Sequence, residues 1–226
     1  MLLCIDDADV KKIRRIYDLY PVDGVSTNPS ILAKAKRPPY EVLKEIRGFI
    51  GDEAPLHVQV ISDRWEDMVA EGRKITAVLG KNTYVKIPTV PEGLKAMERL
   101  SSEGYLVTAT AIYTPMQAYL AAKAGAHFVA PYVNRIDNLG NDGIGTVKLI
   151  QDILDNNGFS TKILAASFKN TLQVLELCAY GVGASTVAPD VIEGFMKNDA
   201  VTAAVAAFTK DFENLCGEGK TMLSCD

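Results

Sequence analysis

Residues 56–80 read LHVQVISDRWEDMVAEGRKITAVLG. The opening run, Leu56–Ile61, holds Leu56, Val58, Val60 and Ile61 in six positions, too short for a helix and typical of a strand. Beyond it Trp65, Met68, Val69, Gly72, Ile75, Val78 and Leu79 recur at i, i+3, i+4 spacing, which predicts one apolar helix face. Ser62 is the expected N-cap and Gly80 the expected stop. A strand followed directly by a covering helix is the unit from which parallel α/β folds are built.

The same alternation continues in both directions. Strands are predicted at Met1–Ile5, Val22–Ser26, Thr83–Ile87, Tyr105–Thr110, His127–Pro131, Thr161–Ala165 and Ala184–Val187, making eight with the first. Several are apolar throughout, as expected where helices cover the sheet. Val10, Ile13, Ile16 (or Tyr17) and Tyr20 form another helical stripe, closed by Pro21, and Ile144, Val147, Ile150, Ile153 and Leu154 form a third. Eight strand–helix units in 226 residues match a compact (β/α)8 TIM barrel. An open doubly wound sheet is the alternative, but it rarely needs eight strands in so short a chain. Pro189–Met196 completes the eighth helix, leaving Ala200–Leu215 as an additional C-terminal helix with an Ala-rich face and a fraying tail. No domain boundary is visible, so residues 1–226 are expected to form one domain, with 200–215 packing on the barrel or on a neighbouring subunit.

Composition narrows the function. Lys and Arg total 24 against 28 Asp and Glu, a net charge of -4 without blocks, whereas a nucleic-acid binder shows a basic excess or stripe. No apolar run reaches the roughly 18 residues of a membrane span. The opening MLLCIDD turns acidic where a secretion signal is basic, so a cytoplasmic protein is expected. Cys4, Cys178, Cys216 and Cys225 contain no C-x-x-C pair and fit neither a disulfide scaffold nor a zinc site. The two histidines, His57 and His127, sit in strand-like runs and read as packed strand residues, which argues against a His-based metal site or triad.

In a (β/α)8 barrel the active site lies at the C-terminal ends of the strands. Those positions hold Asp6, Ser26 with Asn28, Gln59, Lys86, Thr110, Tyr132 with Arg135, and Ser167 with Lys169. Lys86 lies inside the apolar run Tyr84-Val85-Lys86-Ile87-Pro88, where a charged ammonium is costly to bury. Desolvation lowers an amine's pKa and leaves free base able to attack a carbonyl; a strand-end lysine that pairs with a carboxylate is the competing role. Asp6 is placed to hold a substrate hydroxyl or support proton transfer, since Asp7 and Asp9 stand nearer the helix start and serve better as caps. Thr27 or Asn28 caps the next helix ahead of Pro29; one cap suffices, which leaves Asn28 able to reach a substrate. Gln59, Thr110 and Tyr132 supply hydrogen bonds and a phenol for shuttling protons through a bound water. Arg135, Ser167 and Lys169 sit where late loops of this architecture hold phosphate, with an Arg135–Asp137 ion pair as the competing role. Gly143-Ile-Gly145 and Gly181-Val-Gly183 match no nucleotide-binding glycine pattern.

Taken together, Ile5-Asp6, Gly24-Val-Ser-Thr-Asn-Pro-Ser30, Gln59-Val60, Val85-Lys86-Ile87-Pro88, Thr110-Ala-Ile-Tyr113, Ala130-Pro-Tyr-Val-Asn-Arg-Ile-Asp137 and Ala165-Ala-Ser-Phe-Lys169 resemble the small transaldolase-like family, most closely its fructose-6-phosphate aldolase branch. The resemblance implies a class I aldol mechanism without cofactor or metal. Lys86 would form the Schiff base, and Asp6 and Asn28 would hold a dihydroxyacetone unit in a pocket that Ser26 helps shape. Gln59, Thr110 and Tyr132 would position the proton-shuttling water, and Arg135 and Ser167 would grip the phosphate of glyceraldehyde 3-phosphate. In the transaldolase branch a glutamate usually stands at the position of Gln59 and a phenylalanine at that of Tyr132, so both positions here are aldolase-like. Ser26 departs from the more usual threonine. The resemblance further implies sugar-phosphate (pentose phosphate) metabolism and a homo-oligomer, a decamer of two pentameric rings with the last helix swapped onto a neighbour.

Overall fold

The computed structural model describes residues 1–225, and it contains the eight predicted strands: β1 Leu2–Asp6, β2 Gly24–Ser26, β3 Leu56–Gln59, β4 Thr83–Pro88, β5 Val107–Ile112, β6 Phe128–Pro131, β7 Lys162–Ala165 and β8 Ala184–Val187. All are parallel, each pairs with the next, and β8 pairs with β1, which closes a barrel in sequence order. The open-sheet alternative is therefore excluded.

The helices on the outside are α1 Val10–Leu19, α2 Pro29–Lys34, α3 Pro39–Ile50, α4 Trp65–Leu79, α5 Pro91–Ser102, α6 Pro115–Lys123, α7 Val133–Asp137, α8 Gly143–Asn156, α9 Thr171–Tyr180 and α10 Pro189–Gly194. The chain divides into two compact units where the sequence shows no boundary, a barrel unit ending at Ile192 and a C-terminal unit beginning at Glu193. The second unit contains α11, Asp199–Cys216, which buries none of its residues and exposes Val201, Val205, Phe208 and Leu215. Among the described residues no helix is long and apolar enough to cross a membrane.

Strand alternation produces two cores. Residues pointing outward, such as Val58, Val85, Ile87, Val107, Ala109 and Ile163, pack against the helices in one continuous apolar layer. Residues pointing inward form a smaller cluster of Cys4, Phe128, Ala130, Leu164 and Ala184, with Tyr84 against it. His57 belongs inside as well: its ring stacks on Tyr84 at 4.7 Å and meets Phe128 edge-on at 5.6 Å. These side chains plug the barrel below the C-terminal ends of the strands. At the opposite end Arg47, 8% exposed, spends its guanidinium on the carbonyls of Leu79, Gly51, Ala54 and Asn82, tying the loops that lead into β3 and β4.

Several local expectations are corrected. The N-cap of α4 is Arg64, without a side-chain bond; the free Trp65 N–H is satisfied instead by Glu92 on α5, at 3.0 Å. Ser62 binds Glu71, which clamps the loop after β3. Val78 is partly exposed, so the buried face of α4 runs Met68, Val69, Gly72, Ile75 and Leu79. His127 is no packed strand residue: it is exposed, just ahead of β6, and its Nδ1 accepts from the Val107 N–H at 3.2 Å. Cys216 and Cys225 form a disulfide across a separation of 9 residues, closing the tail that the sequence left fraying.

Candidate active site

Lys86 is the centre of the barrel mouth. It is 4% exposed, and its Nζ donates to Ser26 Oγ at 3.0 Å and to the Thr27 carbonyl at 2.9 Å. Ser26 ends β2 and Lys86 lies on β4, so the amine reaches past β3 through the interior. Burial lowers its pKa; the negative charge of Asp6 opposes this without reversing it. Two neutral oxygens, rather than a carboxylate, hold the amine, so Lys86 is not the strand-end lysine paired with a carboxylate. The strand carrying Lys86 is pressed into place from outside. A Cβ on Gly93, at the start of α5, would lie 1.9 Å from the Pro88 carbonyl oxygen, so only glycine permits this approach.

Asp6 ends β1, and its carboxyl is pushed up to about 6 by burial, with Lys86 pulling it the other way. The capping work falls on its neighbours. Asp7 Oδ1 accepts from the Ala8 and Asp9 N–H groups, and Asp9 Oδ1 from those of Lys11 and Lys12, so Asp6 is left free of it. Asn28, in contrast, is the N-cap of α2, its Oδ1 accepting from the Ile31 N–H at 3.0 Å. Thr27 is buried with its hydroxyl on the His57 carbonyl. The cap is thus Asn28 itself, and only its amide N–H₂ remains to meet a ligand.

Gln59 ends β3 in register with Lys86. It also borders a groove of about 730 Å³ between α2, α3 and α4, lined by Leu32, Pro39, Tyr40 and Lys74 among others; Lys86 does not line it. On the far wall the Thr110 hydroxyl lies 2.9 Å from the Tyr132 hydroxyl. The Arg135 guanidinium stands 4.6 Å from the centre of the Tyr132 ring. Asp137 is not its partner, because its two carboxylate oxygens accept from the Gly143 N–H at 2.8 Å and the Gln173 amide at 2.7 Å. Ser167 follows β7 in a left-handed conformation (φ 63°), a strain of order 1–3 kcal/mol of the kind found at ligand sites. Its carbonyl accepts from the Asn134 N–H, linking the loops after β6 and β7. Lys169 is exposed.

Lys86 and Ser26 are therefore joined directly, as are Thr110, Tyr132 and Arg135, and Asp6 feels the charge of both Lys86 and Arg135. Three contributors escaped the sequence reading. The Thr27 carbonyl acts through its backbone, which carries no residue signal. Thr186, 2% exposed on β8, faces Asp6 and pulls its pKa down; inward alternation from Ala184 was the available clue. Tyr113 packs edge-on against Tyr132 at 5.6 Å. No group of three or more metal-ligating side chains occurs among the described residues.

The set provides a deprotonatable amine, a carboxyl poised near neutrality, a phenol–hydroxyl pair and a guanidinium around one opening, as carbonyl chemistry on a hydroxylated substrate requires. Residues 3–222 match the family described as Transaldolase/Fructose-6-phosphate aldolase. A protein named "Probable transaldolase" from Geotalea daltonii is 40% identical over 215 residues, covering 95% of this chain and 99% of its own. Another of that name from Hydrogenobaculum sp. is 38% identical over 215 residues, covering 95% and 98%. Among solved structures, a racemase from Streptomyces coelicolor A3(2) with bound magnesium aligns at a TM-score of 0.55 and 16% identity, over 83% of this chain and 52% of that one, a likeness of fold alone. The chain belongs to the transaldolase/fructose-6-phosphate aldolase family.

Proposed function

We propose that the protein is a class I aldolase that cleaves or forms the C3–C4 bond of fructose 6-phosphate, giving dihydroxyacetone and glyceraldehyde 3-phosphate. The observation that carries this reading is the buried Lys86 amine held by two uncharged oxygens. As free base it adds to the C2 carbonyl of the ketose, and loss of water from the carbinolamine gives the imine. Deprotonation of the C4 hydroxyl then releases the aldehyde, and the electrons of the C3–C4 bond pass into the imine to leave an enamine. Protonation at C3 and hydrolysis free dihydroxyacetone and restore Lys86.

Asp6 and the Asn28 amide hold the hydroxyls of the three-carbon unit. The Thr110–Tyr132 pair and Gln59 hold the water that carries the protons, the phenol being fixed by its 2.9 Å contact. Arg135 and Ser167 take the distal phosphate, with the Lys169 charge nearby. Copies of the chain associate through the apolar face of α11, whose Val201, Val205 and Phe208 stand exposed; a decamer is the assembly that the family resemblance implies.

Reduction with borohydride in the presence of fructose 6-phosphate tests the chemistry, with a three-carbon adduct on Lys86 as the expected product; an unmodified chain would favour a barrel that only binds sugar phosphates. The names of the relatives favour a second reading, transfer of the dihydroxyacetone unit to an acceptor such as erythrose 4-phosphate. Free dihydroxyacetone without acceptor supports the first reading, and strict dependence on acceptor the second.

A further inference from the structure

The path of β5 departs from regular alternation at one residue. Thr108 and Ala109 pair with Phe128 and Val129, but the next partner of Pro131 is Ile112, so one extra residue is inserted. Ala111 takes up the insertion with a left-handed φ of 59°. Val107 and Ala109 belong to the outer core, and unbroken alternation would send Ala111 there and Ile112 into the barrel. Instead Ile112 joins Val107 and Ala109 in the outer layer, fully buried, and Tyr113 comes round to the mouth.

There it is held on both sides. Its N–H donates to Gln117 Oε1 at 2.8 Å as part of the capping arrangement that opens α6, and its ring meets Tyr132 edge-on at 5.6 Å. Its hydroxyl is the first influence holding the Arg135 guanidinium above its ordinary pKa, as a phenol set beside that cation would be. Arg135 thus rests on one phenol ring with a second phenol packed edge-on against that ring, and Asp137 is occupied elsewhere. A carboxylate partner would neutralise the guanidinium. A phenol orients it and leaves its charge for a ligand.

We propose that Tyr113 is a positioning residue for anion recognition: it aims Arg135 across the barrel mouth so that the site prefers substrates ending in a tetrahedral anion. This assignment rests on the aldol reading for the identity of the substrate, and on geometry alone for the anion. Tyr113→Phe keeps the ring contact and removes the hydroxyl. Calorimetric titration with inorganic phosphate is expected to show affinity reduced roughly tenfold in Tyr113→Phe, at least as much in Arg135→Ala, and no further in the double variant than in Arg135→Ala. In turnover, KM for glyceraldehyde 3-phosphate is expected to rise by a similar factor, with kcat and KM for unphosphorylated glyceraldehyde within about twofold. Unchanged phosphate affinity in Tyr113→Phe, or equal losses for charged and neutral aldehydes, would overturn the assignment. Absence of a borohydride adduct on Lys86 in the parent protein would refute the aldol reading instead, and the phosphate titration would then decide the role of Tyr113 alone.

Discussion

Replacement of Ser26 by alanine tests how Lys86 is kept reactive. In the protonated state Nζ donates a charge-assisted bond to Ser26 Oγ at 3.0 Å; as free amine it donates a neutral one. Net values are about 1.5–3 kcal/mol for the former and about 0.5–1.5 kcal/mol for the latter. Their loss therefore penalises the ammonium more, by about 1–1.5 kcal/mol. At 1.36 kcal/mol per unit this lowers the Lys86 pKa by roughly one unit below a value that burial already depresses. The variant should form imine at lower pH than the parent, even though it has lost a contact. The assay is single-turnover borohydride trapping of dihydroxyacetone as a function of pH, with the midpoint of the acid limb as readout. The limb should move about one unit downward. An unmoved or upward-shifted limb would show that Ser26 does not hold the resting amine, and the account of its activation would fall.

Lys86→Met should abolish turnover while leaving the barrel folded. Because burial favours the uncharged amine, the unfolded chain binds this proton more tightly, and the native state gains stability as pH rises toward the ordinary lysine value. Urea titrations of Lys86→Met should lack that gain; a parallel pH dependence would contradict it. Asp6, pushed up to about 6 from 3.8, gives the opposite sign: stability is lost as pH rises from about 4 to 6, so Asp6→Asn should be about 1–3 kcal/mol more stable at pH 7 and equal below pH 4. A destabilised variant at pH 7 would refute the burial account. Gly93→Ala should lower Tm by about 5–10 °C, since its Cβ would meet the Pro88 carbonyl at 1.9 Å; an unchanged melting curve would mean the helix–strand approach is looser. Tyr132→Phe breaks the 2.9 Å contact with Thr110 and should raise the ratio of transfer to free dihydroxyacetone release in a product assay with acceptor present.

Strand positions were legible because both faces of each strand are covered, which leaves short apolar runs bounded by polar turns. Lys86 stood out for the same reason: a charge within Tyr84–Pro88 has no ordinary place there. What alternation alone does not reveal is a change of phase. The bulge at Ala111 lies in Thr-Ala-Thr-Ala-Ile, without the glycine that usually marks one, and so nothing in the run shows that Tyr113 turns toward the mouth. Asn28 and Thr27 are both adequate caps, and the choice is made by the tertiary bond of Thr27 to the His57 carbonyl. Ser62 was displaced as a cap because Glu71, nine residues along, claims it. The Cys216–Cys225 pair depends on the tail folding back after Gly217, a turn with no hydrophobic pattern to announce it.

Below Lys86, the stacked rings of His57, Tyr84 and Phe128 stop the barrel like a cork. Whatever couples to the amine must arrive and depart by a single door. Two carbonyl compounds that react in turn at this nitrogen then queue rather than meet, the first fragment leaving before the second can come in. Such traffic would draw parallel lines in double-reciprocal plots whenever an acceptor completes the cycle.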